Sequence, residues 1–334
     1  MPKPKAVYYR ILEYQPENRA LLDRLFDVIE LADPREDNEQ LASAEILFAP
    51  LGFIVDGAKM DRSPRLKVIA SNTTGIPHIE AEAADKRGVR VCALHDEPEF
   101  LETITPTAEH TIGLMLAAWR RIPAAHRAAA DGAWDRRPWG APRMFSRMRL
   151  GLVGYGRLGR KVARIAEAMG MTISFYDPAV SGSSGSIGEL ARNADVLSLH
   201  APSTRETRNL VSRAVLEELP RGAMVVNTAR GELLDVDALL DLLETGHIAA
   251  AALDTVDGEY DPDFSKTFRD SRLAREARRR DNLILTPHIG GSTVDAWFET
   301  ERFVIEKAAR AVGLVPPPGF CPGDRAPIIG NSAP

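Results

Sequence analysis

Short apolar runs alternate with amphipathic helical patterns along most of the chain. In the first hundred residues, apolar runs predict strands at 6–12, 46–48, 66–70 and 90–94, and helical patterns lie at 18–31 and 79–86. Later in the chain, strands are predicted at 196–200, 224–227, 249–253 and 283–285, with helices at 213–219, 236–244 and 294–312. Strands that alternate with helices are typical of parallel sheets joined by crossover helices. The pattern therefore predicts an α/β fold.

The segment at 148–178 combines a strand, a glycine turn, a helix and a second strand. Gly154 allows a tight turn, Gly156 lets the backbone approach a pyrophosphate, and Gly159 lets the helix pack against the strand. Asp177 ends the second strand, where a carboxylate can accept hydrogen bonds from the hydroxyls of a ribose. The pattern predicts a dinucleotide-binding unit. It favours NAD over NADP, because a 2′-phosphate would meet Asp177 as a like charge.

The composition is that of an ordinary globular protein, and it limits the partners of the chain. The 334 residues, 44% hydrophobic and 27% charged, are enough for two domains with sizeable cores. A formal net charge of −5 argues against nonspecific binding to nucleic acid or anionic membranes, and no apolar run reaches the length of a membrane span. Cys92 and Cys321 are the only cysteines, so we expect free thiols in a reducing cytoplasm and no metal site.

Two segments follow neither the strand pattern nor the helix pattern. The insertion at 261–280 is rich in arginine and acidic residues, which predicts a solvated surface excursion. The tail at 316–334 is rich in proline and glycine, which predicts an extended segment.

Six stretches of the chain resemble the D-isomer-specific 2-hydroxyacid dehydrogenases, and they occur in that family's order. Besides the glycine unit, they are F-L-E-T-I-T-P-T-A-E-H-T-I-G-L-M-L-A (100–117), L-S-L-H-A-P-S-T (197–204), V-N-T-A-R-G-E-L-L-D (226–235), A-A-L-D-T-V-D-G-E (251–259) and T-P-H-I-G-G-S-T (286–293). The resemblance implies two Rossmann-like or flavodoxin-like domains with parallel sheets, the nucleotide domain being inserted into the substrate domain. It implies a substrate domain at 1–103, completed by 295–334, and an NAD-binding Rossmann domain at 104–294. It also implies a homodimer formed through the nucleotide domains, and an active site in the cleft between the two domains.

The same resemblance assigns a catalytic trio to Arg230, Glu259 and His288. Reduction of a 2-oxo acid needs a hydride, a proton for the developing alkoxide and a fixed cation for the carboxylate. A planar, permanently charged guanidinium suits a carboxylate, so Arg230 is expected to bind the substrate and polarise its carbonyl. His288 can transfer a proton near neutral pH, and Glu259 beside it would orient the ring and favour the imidazolium. Among the other histidines, His95, His126 and His247 are expected at the surface and His110 near a helix start, and His78 is a candidate for lining the cleft.

Further contacts to cofactor and substrate are implied by the family resemblance. Besides the three glycines and Asp177, the expected cofactor contacts are the backbone of Arg157 and Leu158 at the pyrophosphate, His200, Ala201 and Pro202 at the adenosine, Thr228 on the nicotinamide side, Asp254 at the nicotinamide carboxamide, and Gly290. Besides Arg230, the expected substrate contacts are the backbone amides of the loop Asn72, Thr73, Thr74 and Gly75.

The chain departs from the family pattern at positions that bear on the substrate. Ser71 stands where phosphoglycerate dehydrogenases tend to have a phosphate-binding arginine, and Tyr260 stands where a proline usually follows the catalytic glutamate. We predict a cytoplasmic, NAD-dependent oxidoreductase that interconverts a small D-2-hydroxy acid and its 2-oxo acid. Two alternatives remain open: a phosphite-type dehydrogenase on the same scaffold, and an NAD-sensing binding protein like the C-terminal-binding-protein corepressors.

Overall fold

The computed structural model describes residues 2–35, 39–261 and 263–317. Cys321 and the predicted tail from residue 318 onward lie outside the described residues. The chain divides into a first unit, Met1–Ile104 with Ser292–Pro334, and a second unit, Thr105–Gly291. The sequence predicts the boundaries between the two domains at 103/104 and 294/295. Within the described ranges, every helix is too short or too polar to cross a bilayer.

Strands and helices alternate through both units. The strands are β1 Lys5–Tyr9, β2 Asp27–Leu31, β3 Ile46–Phe48, β4 Val68–Ala70, β5 Arg90–Cys92, β6 Arg149–Val153, β7 Thr172–Tyr176, β8 Val196–Leu199, β9 Ala223–Asn227, β10 Ile248–Leu253 and β11 Leu283–Leu285. The α-helices are α1 Pro16–Leu25, α2 Gly57–Asp61, α3 Ala81–Lys86, α4 Pro98–Thr103, α5 Pro106–Trp119, α6 Ile122–Ala130, α7 Arg157–Ala168, α8 Ile187–Arg192, α9 Arg213–Glu217, α10 Val236–Glu244, α11 Phe264–Phe268, α12 Arg272–Arg279 and α13 Val294–Ala311. Short 3₁₀ helices lie at Arg10–Leu12, Glu39–Ser43, Arg137–Trp139, Phe145–Arg147 and Gly231–Leu233.

The first unit is a five-stranded parallel sheet with helices on both faces. Its strand order is β2-β1-β3-β4-β5. On one face, α1 and α13 pack through apolar side chains that include Leu22, Val304 and Ile305. Met60 of α2 and Ala84 of α3 lie in the core on the other face. Central strands that are covered on both faces bury nearly all their side chains, which explains their continuous apolar runs.

One predicted helix of the first unit is wrong at its C-terminal end. The pattern predicts a helix over 18–31, but α1 ends at Leu25 and β2 begins at Asp27. Phe26 has extended backbone angles (φ −125°, ψ 159°), and β2 pairs in parallel with β1 along its whole length. The sequence D-V-I-E-L contains two β-branched residues, so pairing with a neighbouring strand overrides the helical pattern.

The second unit contains a six-stranded parallel sheet in the order β11-β10-β9-β8-β6-β7. Helices α5 and α7 cover one face, and α8, α9 and α10 cover the other. Strand β7 lies on one side of β6 and β8 on the other, so the chain reverses the direction in which it adds strands. Such a reversal leaves a crevice at the carboxyl ends of β6 and β8, where open α/β sheets bind ligands. The prediction of an α/β fold with two parallel sheets is confirmed.

The insertion at 261–280 folds into α11 and α12, so its prediction as a solvated excursion is wrong in part. Leu273 of α12 is buried in the core of the second unit, next to α10. On the solvent side, Arg272 pairs with Asp237 (3.2 Å) and Asp241 (2.5 Å) of α10. The charged composition does not predict this packing, because the buried face of so short a helix contains few apolar residues.

Candidate active site

A glycine turn joins β6 to α7 at the crevice. Gly154 has a left-handed backbone (φ +94°), and a Cβ there would lie 2.8 Å from backbone atoms of His200 and Ala201. Gly156 caps α7, and a Cβ there would meet no described atom within 4 Å. The first N–H groups of a helix have no acceptor within it, so the open space beside them suits a pyrophosphate. The predicted pyrophosphate contacts in this first turn are the backbone amides of Arg157 and Leu158.

The carboxylate of Asp177, which follows β7, lies beside the glycine turn. Its Oδ2 accepts a hydrogen bond from the N–H of Tyr155 in the turn (2.8 Å), and its Oδ1 accepts one from the N–H of Ala179 (3.0 Å). The Tyr155 ring stacks on Phe175 of β7 with centroids 3.9 Å apart. These contacts fix the carboxylate where a dinucleotide-binding unit presents an acidic group to a ribose.

His200, Ala201 and Pro202 follow β8 on the other side of the crevice. The N–H of His200 donates to the carbonyl of Val153 (2.7 Å), and its ring Nε2 lies 2.9 Å from the Oγ of Ser198. Burial lowers the pKa of His200 to about 4, so its imidazole is neutral at physiological pH. This edge of the crevice therefore presents an uncharged surface to a ligand.

The loop after β9 carries Arg230 and lies close to the loop after β10. Gly231 makes this approach possible, because a Cβ there would overlap with the backbone at Asp257. The Nδ2 of Asn227 donates to the carbonyl of Arg230 (2.8 Å), which fixes the start of the loop. The Nη1 of Arg230 donates to the carbonyl of Ala229 (2.6 Å), and the side chain is partly exposed. A guanidinium has five donors in a planar fork, so this arrangement can still bind a carboxylate.

The carboxylate of Asp254, after β10, organises the turn T-P-H-I-G at 286–290. It is 1% exposed and accepts hydrogen bonds from Oγ1 of Thr286 (2.5 Å) and from the N–H groups of Ile289 (3.0 Å) and Gly290 (2.8 Å). His110 of α5 meets the same carboxylate, with Nε2 3.3 Å from Oδ1. Several bonds to one buried carboxylate fix the turn. Asp254 and Gly290, both predicted cofactor contacts, thus hold the turn that carries His288.

His288 adopts a left-handed conformation (φ +53°), which few residues other than glycine adopt. Its N–H donates to the carbonyl of Asp254 (2.8 Å), which supports this conformation. Ring Nδ1 lies 2.7 Å from Oε1 of Glu259, and the two side chains are 29% and 13% exposed. The Oη of Tyr260 lies 3.1 Å from the same nitrogen. Because Nδ1 is engaged, Nε2 is the nitrogen that can exchange a proton with a ligand.

In the first unit, the predicted substrate loop at 72–75 follows β4. The Oγ of Ser71 lies 2.9 Å from Oγ1 of Thr73, which donates to the carbonyl of Gly75 (2.7 Å). Among the residues that the structure describes, the backbone N–H groups of Asn72, Thr73, Thr74 and Gly75 donate no hydrogen bond. The hydroxyls therefore shape the loop, and its backbone amides can bind an anion.

The strand ends of the second unit combine a turn that fits a dinucleotide, an arginine and a carboxylate–imidazole pair. Such a set can bind an anion and move a proton. Within residues 2–35, 39–261 and 263–317, no group of three or more His, Cys, Asp or Glu side chains could hold a metal ion.

A comparison with protein families matches residues 112–290 to the NAD binding domain of the D-isomer specific 2-hydroxyacid dehydrogenases. The chain belongs to this family. The matched residues lie inside the second unit, which is therefore the nicotinamide-dinucleotide-binding domain of this family member. The resemblance inferred from the motifs is confirmed.

Relatives within the family include enzymes with different substrates. The D-3-phosphoglycerate dehydrogenase of Methanocaldococcus jannaschii is 34% identical over 283 residues, covering 82% of this chain and 51% of that protein. The glyoxylate reductase of Thermofilum pendens is 31% identical, covering 89% of this chain and 88% of that protein. A crystal structure of a Thermus thermophilus protein is 30% identical, with a TM-score of 0.78, covering 94% of this chain and 98% of that one. This chain spans about half the length of the phosphoglycerate dehydrogenases that it matches.

The structure of this family member brings some predicted site residues together and adds others. Glu259 and His288 are in contact, whereas Arg230 makes its hydrogen bond within its own loop. The buried hydroxyl of Thr228 lies 2.7 Å from that of Thr111 on α5. Sequence reasoning missed the contact of His110 with Asp254 and that of Tyr260 with His288. The only signal for His110 was its place in a stretch that resembles the family.

Proposed function

We propose that this chain is an NAD-dependent dehydrogenase that interconverts a small D-2-hydroxy acid and its 2-oxo acid. The observation that carries the proposal is the 2.7 Å contact between Glu259 and His288, in the same unit as the glycine turn. Hydride transfer to a carbonyl requires a proton donor for the oxygen. An imidazole oriented by a carboxylate is such a donor near neutral pH. Membership of the family supports the same class of reaction.

The acid/base pair accounts for the proton in both directions of the reaction. The nicotinamide, when bound, supplies hydride to C2 of the 2-oxo acid or takes it from C2 of the 2-hydroxy acid. In reduction, imidazolium His288 gives its Nε2 proton to the C2 oxygen, so that 2-oxo acid, NADH and one proton become 2-hydroxy acid and NAD⁺. In oxidation, neutral His288 accepts the hydroxyl proton at Nε2. Glu259 stays on Nδ1 throughout and stabilises the imidazolium.

Arg230 and the loop at 72–75 are the proposed ligands of the substrate carboxylate. The guanidinium of Arg230 can bind a carboxylate through two parallel hydrogen bonds and polarise the adjacent carbonyl. In the loop, the hydroxyl of Thr73 is already bonded to Gly75, so the backbone amides are the expected donors. Ser71, in place of a phosphate-binding arginine, favours a substrate without a phosphate group.

The proposed cofactor contacts follow the strand ends of the second unit. The pyrophosphate is assigned to the turn at 154–159, and the adenosine to Asp177 and the residues 200–202. A 2′-phosphate would meet the Asp177 carboxylate as a like charge, so NADH should be preferred to NADPH. The nicotinamide end is assigned to Thr228, Asp254 and Gly290.

A homodimer formed through the second unit is also part of the proposal. Trp134 is 93% exposed, and Ile122 and Met144 in the same stretch are 52% and 56% exposed. Large apolar side chains with such exposure lose unfavourable contact with water when another protein covers them. A second copy of this chain is the partner that the family resemblance implies.

The experiment that tests the reaction follows NADH absorbance in the presence of the purified chain and a panel of 2-oxo acids. The panel contains glyoxylate, hydroxypyruvate, phosphohydroxypyruvate, pyruvate and bulkier analogues. We expect consumption of NADH with at least one unphosphorylated acid, formation of the D-hydroxy acid on chiral chromatography, and lower kcat/KM with NADPH. Arg230→Lys, which keeps the charge but loses the fork, should raise KM for the acid at least tenfold.

Other outcomes of the same experiment would contradict the proposal. NADH binding without consumption of NADH by any 2-oxo acid would leave the corepressor-like binding protein as the better interpretation. A parallel assay contains NAD⁺ and phosphite as the only substrates, and formation of NADH there would favour the phosphite-type dehydrogenase.

A further inference from the structure

The phenol of Tyr260 contacts the nitrogen of His288 that Glu259 also engages. Oη of Tyr260 lies 3.1 Å from Nδ1, and Oε1 of Glu259 lies 2.7 Å from it. The tyrosine and histidine rings are tilted by 49°, with centroids 5.9 Å apart. Glu259 and Tyr260 are consecutive in the turn after β10, so one short segment presents two oxygens to one ring nitrogen.

Only one of the two oxygens can be the main acceptor, because Nδ1 carries a single hydrogen. A carboxylate oxygen at 2.7 Å favours that hydrogen on Nδ1, since the lone pairs of the nitrogen and the carboxylate would otherwise face each other. The phenol therefore cannot donate to Nδ1 while Glu259 is ionised. It presents its oxygen as a second acceptor, and the Nδ1–H bond is shared between Glu259 and Tyr260.

The phenol remains neutral over the working range of a dehydrogenase. The pKa of Tyr260 is raised to about 12, first by burial and next by the negative charge of Glu259. The charged groups that act on the phenol are Glu259, Arg230, Glu232 and Asp254, of which only Arg230 favours ionisation. Tyr260 thus adds a fixed dipole at Nδ1 and no further negative charge.

We propose that Tyr260 is a positioning residue that holds His288, together with Glu259, in the Nδ1–H tautomer with Nε2 directed to the substrate. The proposal rests on the proposed function of His288 as acid/base. The second acceptor also stabilises the imidazolium, in which Nδ1–H is a stronger donor than in the neutral ring. A proline, which the family pattern has at this position, has no side-chain oxygen for this contact.

Tyr260→Phe tests the proposal, because it removes the hydroxyl and keeps the ring. We expect kcat for the 2-oxo acid to fall about fivefold, as for the loss of one shared hydrogen bond, with KM for NADH unchanged. The pH profile of reduction should shift to lower pH by on the order of half a unit, because the imidazolium loses an acceptor. Tyr9→Phe is the matched control: its Oη is buried in the first unit without a hydrogen-bond partner among the described residues.

A measurement without turnover separates this proposal from the proposed function. The ¹⁵N chemical shifts of His288 report its tautomer, and His288→Asn identifies its signals in the histidine-labelled protein. We expect the Nδ1–H form in the natural chain and a mixture with the Nε2–H form in Tyr260→Phe. If the natural chain and Tyr260→Phe differ in this way but the natural chain reduces no 2-oxo acid, the proposed function is wrong and the role of Tyr260 in the tautomer stands.

Two results would overturn the role of Tyr260. In the first, the natural chain is active and Tyr260→Phe has the same His288 tautomer and the same pH profile. The other is a shift of the profile to higher pH, which would mean that the phenol donates to Nδ1 and opposes the imidazolium.

Discussion

The backbone of His288 is as unusual as its side-chain contacts, and both bear on the proton transfer proposed for it. The left-handed conformation at φ +53° is held by the bond to the carbonyl of Asp254. We expect His288→Asn to lower kcat by on the order of a thousandfold, the usual contribution of a general acid. The Kd for NADH, measured by fluorescence, should stay within about twofold, since the ring is assigned to the substrate. His95→Asn, at an exposed position of the first unit, is the control. Turnover of His288→Asn close to that of the control would refute the assignment.

A substitution at Gly156 can test cofactor binding without disturbing the fold, whereas one at Gly154 would strain its left-handed backbone. The φ of −74° at Gly156 suits any residue, and a Cβ there meets no described atom within 4 Å. We therefore expect Gly156→Ala to keep its melting temperature while its Kd for NADH rises at least tenfold, because the methyl group occupies the space assigned to the pyrophosphate. Gly113→Ala adds a methyl group in equally open space on α5 and should bind NADH normally. Equal NADH affinity in both variants would argue against a pyrophosphate beside Gly156.

Individual site residues could be predicted where a short segment demands one residue type. Gly154 and Asp177 are of this kind, because a glycine turn and a terminal carboxylate recur at fixed spacing in dinucleotide-binding units. The contact of His110 with Thr286 joins residues 176 positions apart, on α5 and after β11. This contact depends on how a helix packs on the sheet, so no local sequence pattern predicts it.

At the scale of elements, a continuous apolar run or a clear amphipathic period predicts an element well, and a mixed pattern does not. The predicted strands at 46–48 and 283–285 and the predicted helix at 236–244 have the bounds of β3, β11 and α10. Strand β3 is fully buried and α10 buries one face, and the three residues of β11 are all apolar, so the apolar pattern predicts each element. Strand β2 lies at a sheet edge with only Leu31 fully buried, and α12 buries few side chains. In both, pairing or packing with a neighbour decides the structure, and the local pattern is weak.

The packing of α1 against α13 in the first unit encloses a carboxylate, which predicts a pH-dependent stability. Glu301 of α13 is 3% exposed and accepts hydrogen bonds from Nδ2 of Asn18 (3.0 Å) and the N–H of Gln15 (2.8 Å). Burial raises the pKa of Glu301 to about 7, from an ordinary value of 4.5. The folded state therefore binds this proton more tightly than the unfolded state. The contribution of protonated Glu301 to the free energy of unfolding is fully present below about pH 4.5 and is lost as the pH rises through about 7.

Glu301→Gln removes this titration and keeps the size of the side chain. We compare the free energy of unfolding of Glu301→Gln with that of the natural chain at each pH. The difference, variant minus natural chain, should be larger at pH 8.5 than at pH 5 by about 2–3 kcal/mol, an upper bound set by the shift in pKa. Urea unfolding at the two pH values measures the difference. Exposed Glu17 of α1 provides the control, and Glu17→Gln should show no such dependence. A Glu301→Gln effect of the same size at both pH values would show that the carboxylate is not titrating in the folded protein.

At the scale of the whole molecule, the exposed apolar side chains between α5 and β6 bear on assembly. Trp134 is 93% exposed, and a large indole in that position gains most from being covered by a second chain. Sedimentation of the natural chain should give twice the chain mass of 36.6 kDa. The double variant Trp134→Ser, Met144→Ser should sediment as a single chain at micromolar concentration, because it removes apolar area from the proposed interface. Ile11→Ser, an equally polar change at an exposed site of the first unit, should leave the mass unchanged. A natural chain that is already monomeric, or a double variant that remains dimeric, would exclude this stretch as the contact between copies.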